Sequence, residues 1–239
     1  MGARAREPVQ LTLALSHPAS LAREDFMVGP CNAAALDAIE RWPDWPGRTL
    51  ALVGPRGSGK SHLAAIWAAR AGARMIAASA LDEAAAPAAL ASGAVLVEDA
   101  AAGAVNERPR QHDPLLHSAL FHLLNIAREE QGYVLLTAES APATWTLRLA
   151  DLASRLRAVP VVTIGPPDDA LFRTVLVKLF ADRQLTVDEA LLVYLERRVE
   201  RSIVAAQAVV AALDREGLRQ QRPVTRALAA ELLDATNGG

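Results

Sequence analysis

Cysteine and lysine are almost missing from this chain, and each scarcity excludes something. A single cysteine, Cys31, among 239 residues cannot close an internal disulfide or build a cysteine-based metal site, so nothing argues for an oxidising compartment and the cytoplasm is the expectation. Aromatics make up only 4% of residues, while alanine occupies fifty positions. With Ala and Leu carrying the apolar fraction, helices or a helix-covered sheet are favoured over an all-β fold. No apolar run reaches the roughly 18 to 20 residues that span a bilayer, and no basic stretch precedes an apolar core at the N-terminus, so neither membrane nor leader is expected. A net charge of −2 and a pI of about 6.2 give no whole-surface attraction to nucleic acid. Only Lys60 and Lys178 are lysines; the other 23 basic residues are arginines. A genomic bias toward Ala and Arg codons is the plain cause, yet it makes each surviving lysine worth locating.

What is present is enough apolar content, 51%, for one domain of ordinary size with a smaller appendage. Residues 1–24 mix Pro, Arg and Ser around one short alternation, QLTLALSHP, and read as a tail. From Arg48 onward, short β-like runs alternate with helical stretches: TLALV at 49–53, RMIAAS at 74–79, AVLVED at 94–99, YVLLTAE at 133–139 and VPVVTI at 159–164. These runs are nearly continuous in apolar residues, as strands buried on both faces are, which predicts an α/β fold with a parallel sheet sandwiched by helices over 25–165. The clearest helix is 114–131, with Leu116, Leu120, Leu123, Leu124 and Ala127 at spacings of three and four. Residues 103–113 read as a solvated loop. After Ile164, GPPDD breaks the pattern and offers Asp168 and Asp169 as N-cap and first-turn acids. Helices alone follow, at about 168–182, 188–199, 201–216 and 225–235, predicting a small all-helical lid over 166–239.

The segment GPRGSGKS, residues 54–61, fits G-x-x-x-x-G-K-[ST] and lies directly between a strand and a helix, as a phosphate-binding loop must. Gly54, Gly57 and Gly59 let the backbone of Gly54, Pro55, Arg56, Gly57, Ser58 and Gly59 wrap a polyphosphate, and the new helix points its amides at the anion. Lys60 would reach the β- and γ-phosphates and the Ser61 hydroxyl would bind Mg2+. A carboxylate must stand at a nearby strand end to organise that metal, and AVLVED supplies Glu98 and Asp99. If Glu98 takes the metal position, Asp99 is the base for the attacking water; if Asp99 takes it, Ala100 follows and hydrolysis is weak.

Together these features resemble the AAA+ ATPases, and finer ones resemble the bacterial replication initiator DnaA and its shorter relative Hda. DFMVGPCN at 25–32 is similar to the family's entry segment beside the nucleotide base, which adds Val28 and Gly29 to the implied nucleotide contacts, as His62 is added beside Ser61. LLTAES at 135–140 matches the sensor 1 position, with Glu139 where relatives commonly have Asp. LADLASRL at 149–156 resembles the segment ending in the arginine finger, which implies that role for Arg155. RVERSIVAAQAVVAALD at 198–214 looks like the sensor 2 helix, which implies a γ-phosphate contact for Arg201. QLTLAL resembles the clamp-binding peptide of Hda: Gln10 would supply a directional hydrogen bond while Leu11, Leu13 and Leu15 fill an apolar groove.

The resemblance implies ATP or ADP with Mg2+ as cofactors. As partners it implies DnaA, the β-subunit sliding clamp with DNA reached through it, and a possible homo-oligomer. The chain stops after its last lid helix, leaving no room for the DNA-binding domain of DnaA, so the expectation is a regulator that is a weak ATPase alone and stimulates ATP hydrolysis on DnaA. A helicase-loader-like or other DNA-remodelling ATPase is the first alternative. A small-molecule P-loop kinase would leave the lid, Arg155 and QLTLAL unexplained. A clamp adaptor whose ATPase fold serves as a scaffold is a further alternative.

Overall fold

The five apolar runs pair into one sheet. In the computed structural model, which describes residues 21–100, 114–147 and 149–237, β1 (Thr49–Val53), β2 (Arg74–Ala77), β3 (Ala94–Glu98), β4 (Tyr133–Ala138) and β5 (Val161–Thr163) lie in the order β2-β3-β4-β1-β5, every pair parallel. The expected clamp-binding residues Gln10, Leu11, Leu13 and Leu15 and the loop 103–113 lie outside the described residues.

Alternation along the central strands explains both the continuous apolar runs and the layered packing. Ala51, Val53, Val95, Val97, Val134 and Leu136 enter one core with α3 (Ala85–Leu90), α4 (Pro114–Glu129) and α5 (Ala150–Ala158). Their neighbours Leu50, Leu52, Leu96 and Leu135 enter a second core with α1 (Ala33–Glu40) and α2 (Lys60–Ala71). The five apolar residues that mark the helix at 114–131 are all buried against the sheet. The sheet's edges differ: β2 and β5 are mostly exposed and run shorter than their apolar runs.

A third core belongs to α6 (Asp169–Asp182), α7 (Glu189–Arg198), α8 (Ile203–Gln220) and α9 (Arg226–Asn237), whose Phe172, Phe180, Leu195 and Leu213 are buried together. Their starts follow capping chemistry. Asp168, Asp188 and Ser202 each accept a hydrogen bond from an amide three residues on, those of Leu171, Leu191 and Ala205. Ser202 sets the start of α8 two residues later than its sequence pattern had it, which leaves Arg201 outside the helix. The entry segment joins the layers: Phe26 packs in the second core and Met27 and Cys31 against the third.

Candidate functional site

Parallel strands deliver their C-terminal ends to one edge of the sheet, and β1 lies between β4 and β5, so the loop after β1 rises among the ends of its neighbours. Gly57 and Gly59 hold φ of +73° and +99°, left-handed values that suit glycine. A Cβ on Gly54 would fall 2.3 Å from the Ile164 carbonyl oxygen, so that position admits no side chain. Lys60 opens α2 and is 7% exposed; its Nζ donates to the Gly54 and Pro55 carbonyls at 2.7 and 2.9 Å. Ser58 Oγ is buried with no hydrogen-bond partner among the described residues. A glycine cradle, a buried ammonium and an orphaned hydroxyl therefore surround the N-terminus of a twelve-residue helix, a polar shell that suits an anion.

The two strand-end acids face different surroundings. Glu98 continues the alternation of Ala94 and Leu96, which face the core containing α2; burial, and then the charge of Asp99, push its carboxyl above the ordinary range. Asp99 turns to φ +53° and donates its amide to the buried Thr137 Oγ1 at 3.0 Å. Burial pulls the Lys60 ammonium below its usual value, while the charges of Asp99 and then Glu139 oppose that pull. Strand parity thus turns Glu98 toward α2, and the electrostatic hold on Lys60 comes from Asp99 first and Glu139 second. Among the described residues, no three His, Cys, Asp or Glu side chains group as a metal site. Glu139, after β4, stands 3.9 Å from the Arg56 guanidinium at the exposed loop tip.

The entry segment is folded by a residue whose sequence signal is only its place in DFMVGPCN. Asn32, 3% exposed, accepts the Gly29 amide on Oδ1 and donates from Nδ2 to the Met27 carbonyl, both at 2.9 Å. This pins the turn that carries Val28, half exposed, and Gly29, where a Cβ would come within 3.1 Å of Leu171 on α6. His62 engages this segment as well: its Nε2 lies 3.0 Å from the Ala22 carbonyl and its ring meets Phe26 edge-on at 5.3 Å.

The lid reaches the loop through its backbone. Ile203 donates its amide to the Gly57 carbonyl at 2.7 Å, and a Cβ on Gly57 would stand 2.8 Å from Ser202 Cβ and 3.5 Å from Val204 Cβ. Arg201 instead pairs with Asp169 of α6 at 2.7 Å. The groups that the lid lays on the loop are therefore Ser202, Ile203 and Val204, and a serine ahead of an apolar run was the readable sign of that start. A second tie runs through Lys178, which joins Asp25 of the entry segment to Asp182 of α6 at 2.8 and 2.9 Å. Arg155 stands apart from these ties on α5: its guanidinium lies 5.1 Å from the Phe121 ring centroid, and no carboxylate among the described residues pairs with it.

No protein-family model and no curated protein matches the chain. Among solved structures it is similar to domain III of the replication initiation protein DnaA from Thermotoga maritima (TM-score 0.71, 19% identity, 92% of this chain and 98% of that one). It is also similar to AMPPCP-bound DnaA from Aquifex aeolicus (0.61, 18%, 81% and 65%) and to the Thermotoga maritima RuvB Holliday junction branch migration motor (0.66, 14%, 91% and 72%). The fold is the AAA+ P-loop fold, a parallel five-stranded sheet between helices. No helix among the described residues is long and apolar enough to cross a membrane.

Proposed function

We propose that this chain is a nucleotide-binding AAA+ regulator of the Hda type, which docks on the sliding clamp through Gln10, Leu11, Leu13 and Leu15 and stimulates hydrolysis of the ATP held by DnaA. The cradle around Lys60 and the orphaned Ser58 hydroxyl fit a polyphosphate chain, so ATP or ADP is the expected ligand. Ser61 with Glu98 or Asp99 would hold Mg2+, which supplies charge neutralisation at the phosphates. Val28 and Gly29 would border the base. The observation that carries the regulatory part is Arg155, half-buried on α5 with no carboxylate among the described residues to neutralise it. A planar cation in that state is available to a neighbouring subunit's phosphates, where an arginine finger contributes on the order of 10³ to 10⁵ in rate. Likeness to DnaA domain III over 92% of the chain supports the reading.

The test is turnover of DnaA-bound ATP in a reconstituted mixture, with and without clamp on DNA. Arg155→Ala is expected to abolish stimulation while nucleotide binding persists, and Gln10→Ala to remove the clamp-dependent part. Full stimulation by the Arg155 variant overturns the mechanism. Likeness to RuvB favours a second reading, a DNA-remodelling ATPase. It requires the isolated chain to bind single-stranded DNA with an affinity that falls steeply with salt.

A further inference from the structure

We infer that Phe121 of α4 is the positioning residue for Arg155, a platform that fixes the guanidinium while leaving its hydrogen-bond donors free. The inference rests on the reading of Arg155 as a finger and adds to it the device that aims the side chain.

Arginine has five N–H donors in the plane of its head group. A carboxylate partner would occupy some of those donors, and each would have to be surrendered when a phosphoryl group arrives. An aromatic face attracts the same cation through its quadrupole, from above the plane, and consumes none of them. Five arginines among the described residues show the contrast. Arg173, Arg201 and Arg219 are spent on carboxylates. Arg48 and Arg70 lie over rings too, yet donate to the backbone carbonyls of Gln131, Glu40 and Trp42. Arg155 has the ring contact and, among the described residues, no hydrogen bond or ion pair.

Both partners stand on fixed elements. Phe121 packs against the first core and follows Leu120, 1% exposed, on a sixteen-residue helix. Arg155 lies between Leu152 and Leu156, which are 0% and 1% exposed on α5. The burial of these neighbours sets where the ring and the guanidinium stem emerge, so the ring has only to restrict the rotamers of one long side chain. Ordering that side chain before the encounter removes an entropy cost from the transition state. There, water bonds to the γ-phosphorus, the bond to the ADP oxygen breaks, and ADP, inorganic phosphate and a proton result.

The experiment measures clamp-dependent turnover of DnaA-bound ATP as a function of the concentration of this chain, with ADP affinity and thermal melting recorded for each variant. Phe121→Leu keeps an apolar side chain of similar size but removes the quadrupole. It is expected to lower the maximal stimulated rate about 3- to 10-fold, leaving the half-saturating concentration and ADP affinity unchanged, with a small fall in melting temperature from the lost packing. Phe121→Tyr is expected to retain the wild-type rate, and Phe121→Leu with Arg155→Ala to be no slower than Arg155→Ala alone. If the core rejects leucine, Phe121→Met makes the same comparison. Normal stimulation by Arg155→Ala sinks the finger reading itself. Loss in Arg155→Ala with a normal rate in Phe121→Leu, or equal losses in the Leu and Tyr variants, overturns the positioning role alone.

Discussion

Glu98 and Lys60 show how burial loads a single residue before any ligand arrives. The Glu98 carboxyl is raised by its burial and by Asp99, so the folded chain holds a proton there more readily than the unfolded one. Stability from this group is present below its ordinary pKa of 4.5 and is lost as pH rises through the raised folded value. Above the raised value the ionised side chain opposes folding, and Glu98→Gln is expected to raise stability there slightly, by less than about 1 kcal/mol after solvent screening. Melting curves at pH 4 and pH 7 check this, with the gain confined to the higher pH. Lys60 is loaded in the opposite sense: its ammonium is pulled below 10.5 by burial, so stability rises with pH between its lowered folded value and 10.5. A bound polyphosphate favours the charged form, and calorimetry in buffers of different ionisation enthalpy is expected to register proton uptake on nucleotide binding in the alkaline range.

At the scale of elements, the loop after β1 depends on what it is threaded between. Gly54→Ala would drive a methyl group into the Ile164 carbonyl, part of the backbone that leaves β5, and overpacking of this kind costs about 1 to 3 kcal/mol. Urea denaturation is expected to show that loss together with weakened nucleotide binding. The legibility of the elements follows the same geometry. β1 matches its apolar run residue for residue because it is central and buried on both faces. RMIAAS and VPVVTI form strands shorter than their runs because they are the sheet's exposed edges, the first passing into a 3-10 turn at Ala78–Ala80 and the second pairing only over Val161–Thr163. The loop GPRGSGKS and its strand-end acids were readable from spacing alone. The contact of α8 with Gly57 was not, since it is made by the main-chain amide of Ile203. Nor could spacing place Phe121 beneath Arg155, two residues brought together only by the packing of α4 on α5.

For the molecule as a whole, the two lysines stand on either side of one question, how the lid is held over the loop. Lys60 lies within the cradle, and Lys178 ties Asp25 of the entry segment to α6. Its hydrogen bonds to Asp25 and Asp182 raise its pKa, so the stabilisation is complete below 10.5 and fades as pH climbs through the raised value. Lys178→Met is expected to cost stability modestly, about 0.5 to 1 kcal/mol, and to speed release of a fluorescent nucleotide by loosening the lid; stopped-flow displacement measures the rate. The other tie, from Ile203 to Gly57, is a lone backbone amide at the start of a helix, where no intrahelical acceptor exists for it. Its hydrogen can exchange with solvent only when the lid leaves the loop, which makes the deuterium uptake of this one amide a clock for lid opening, readable without any label on the nucleotide.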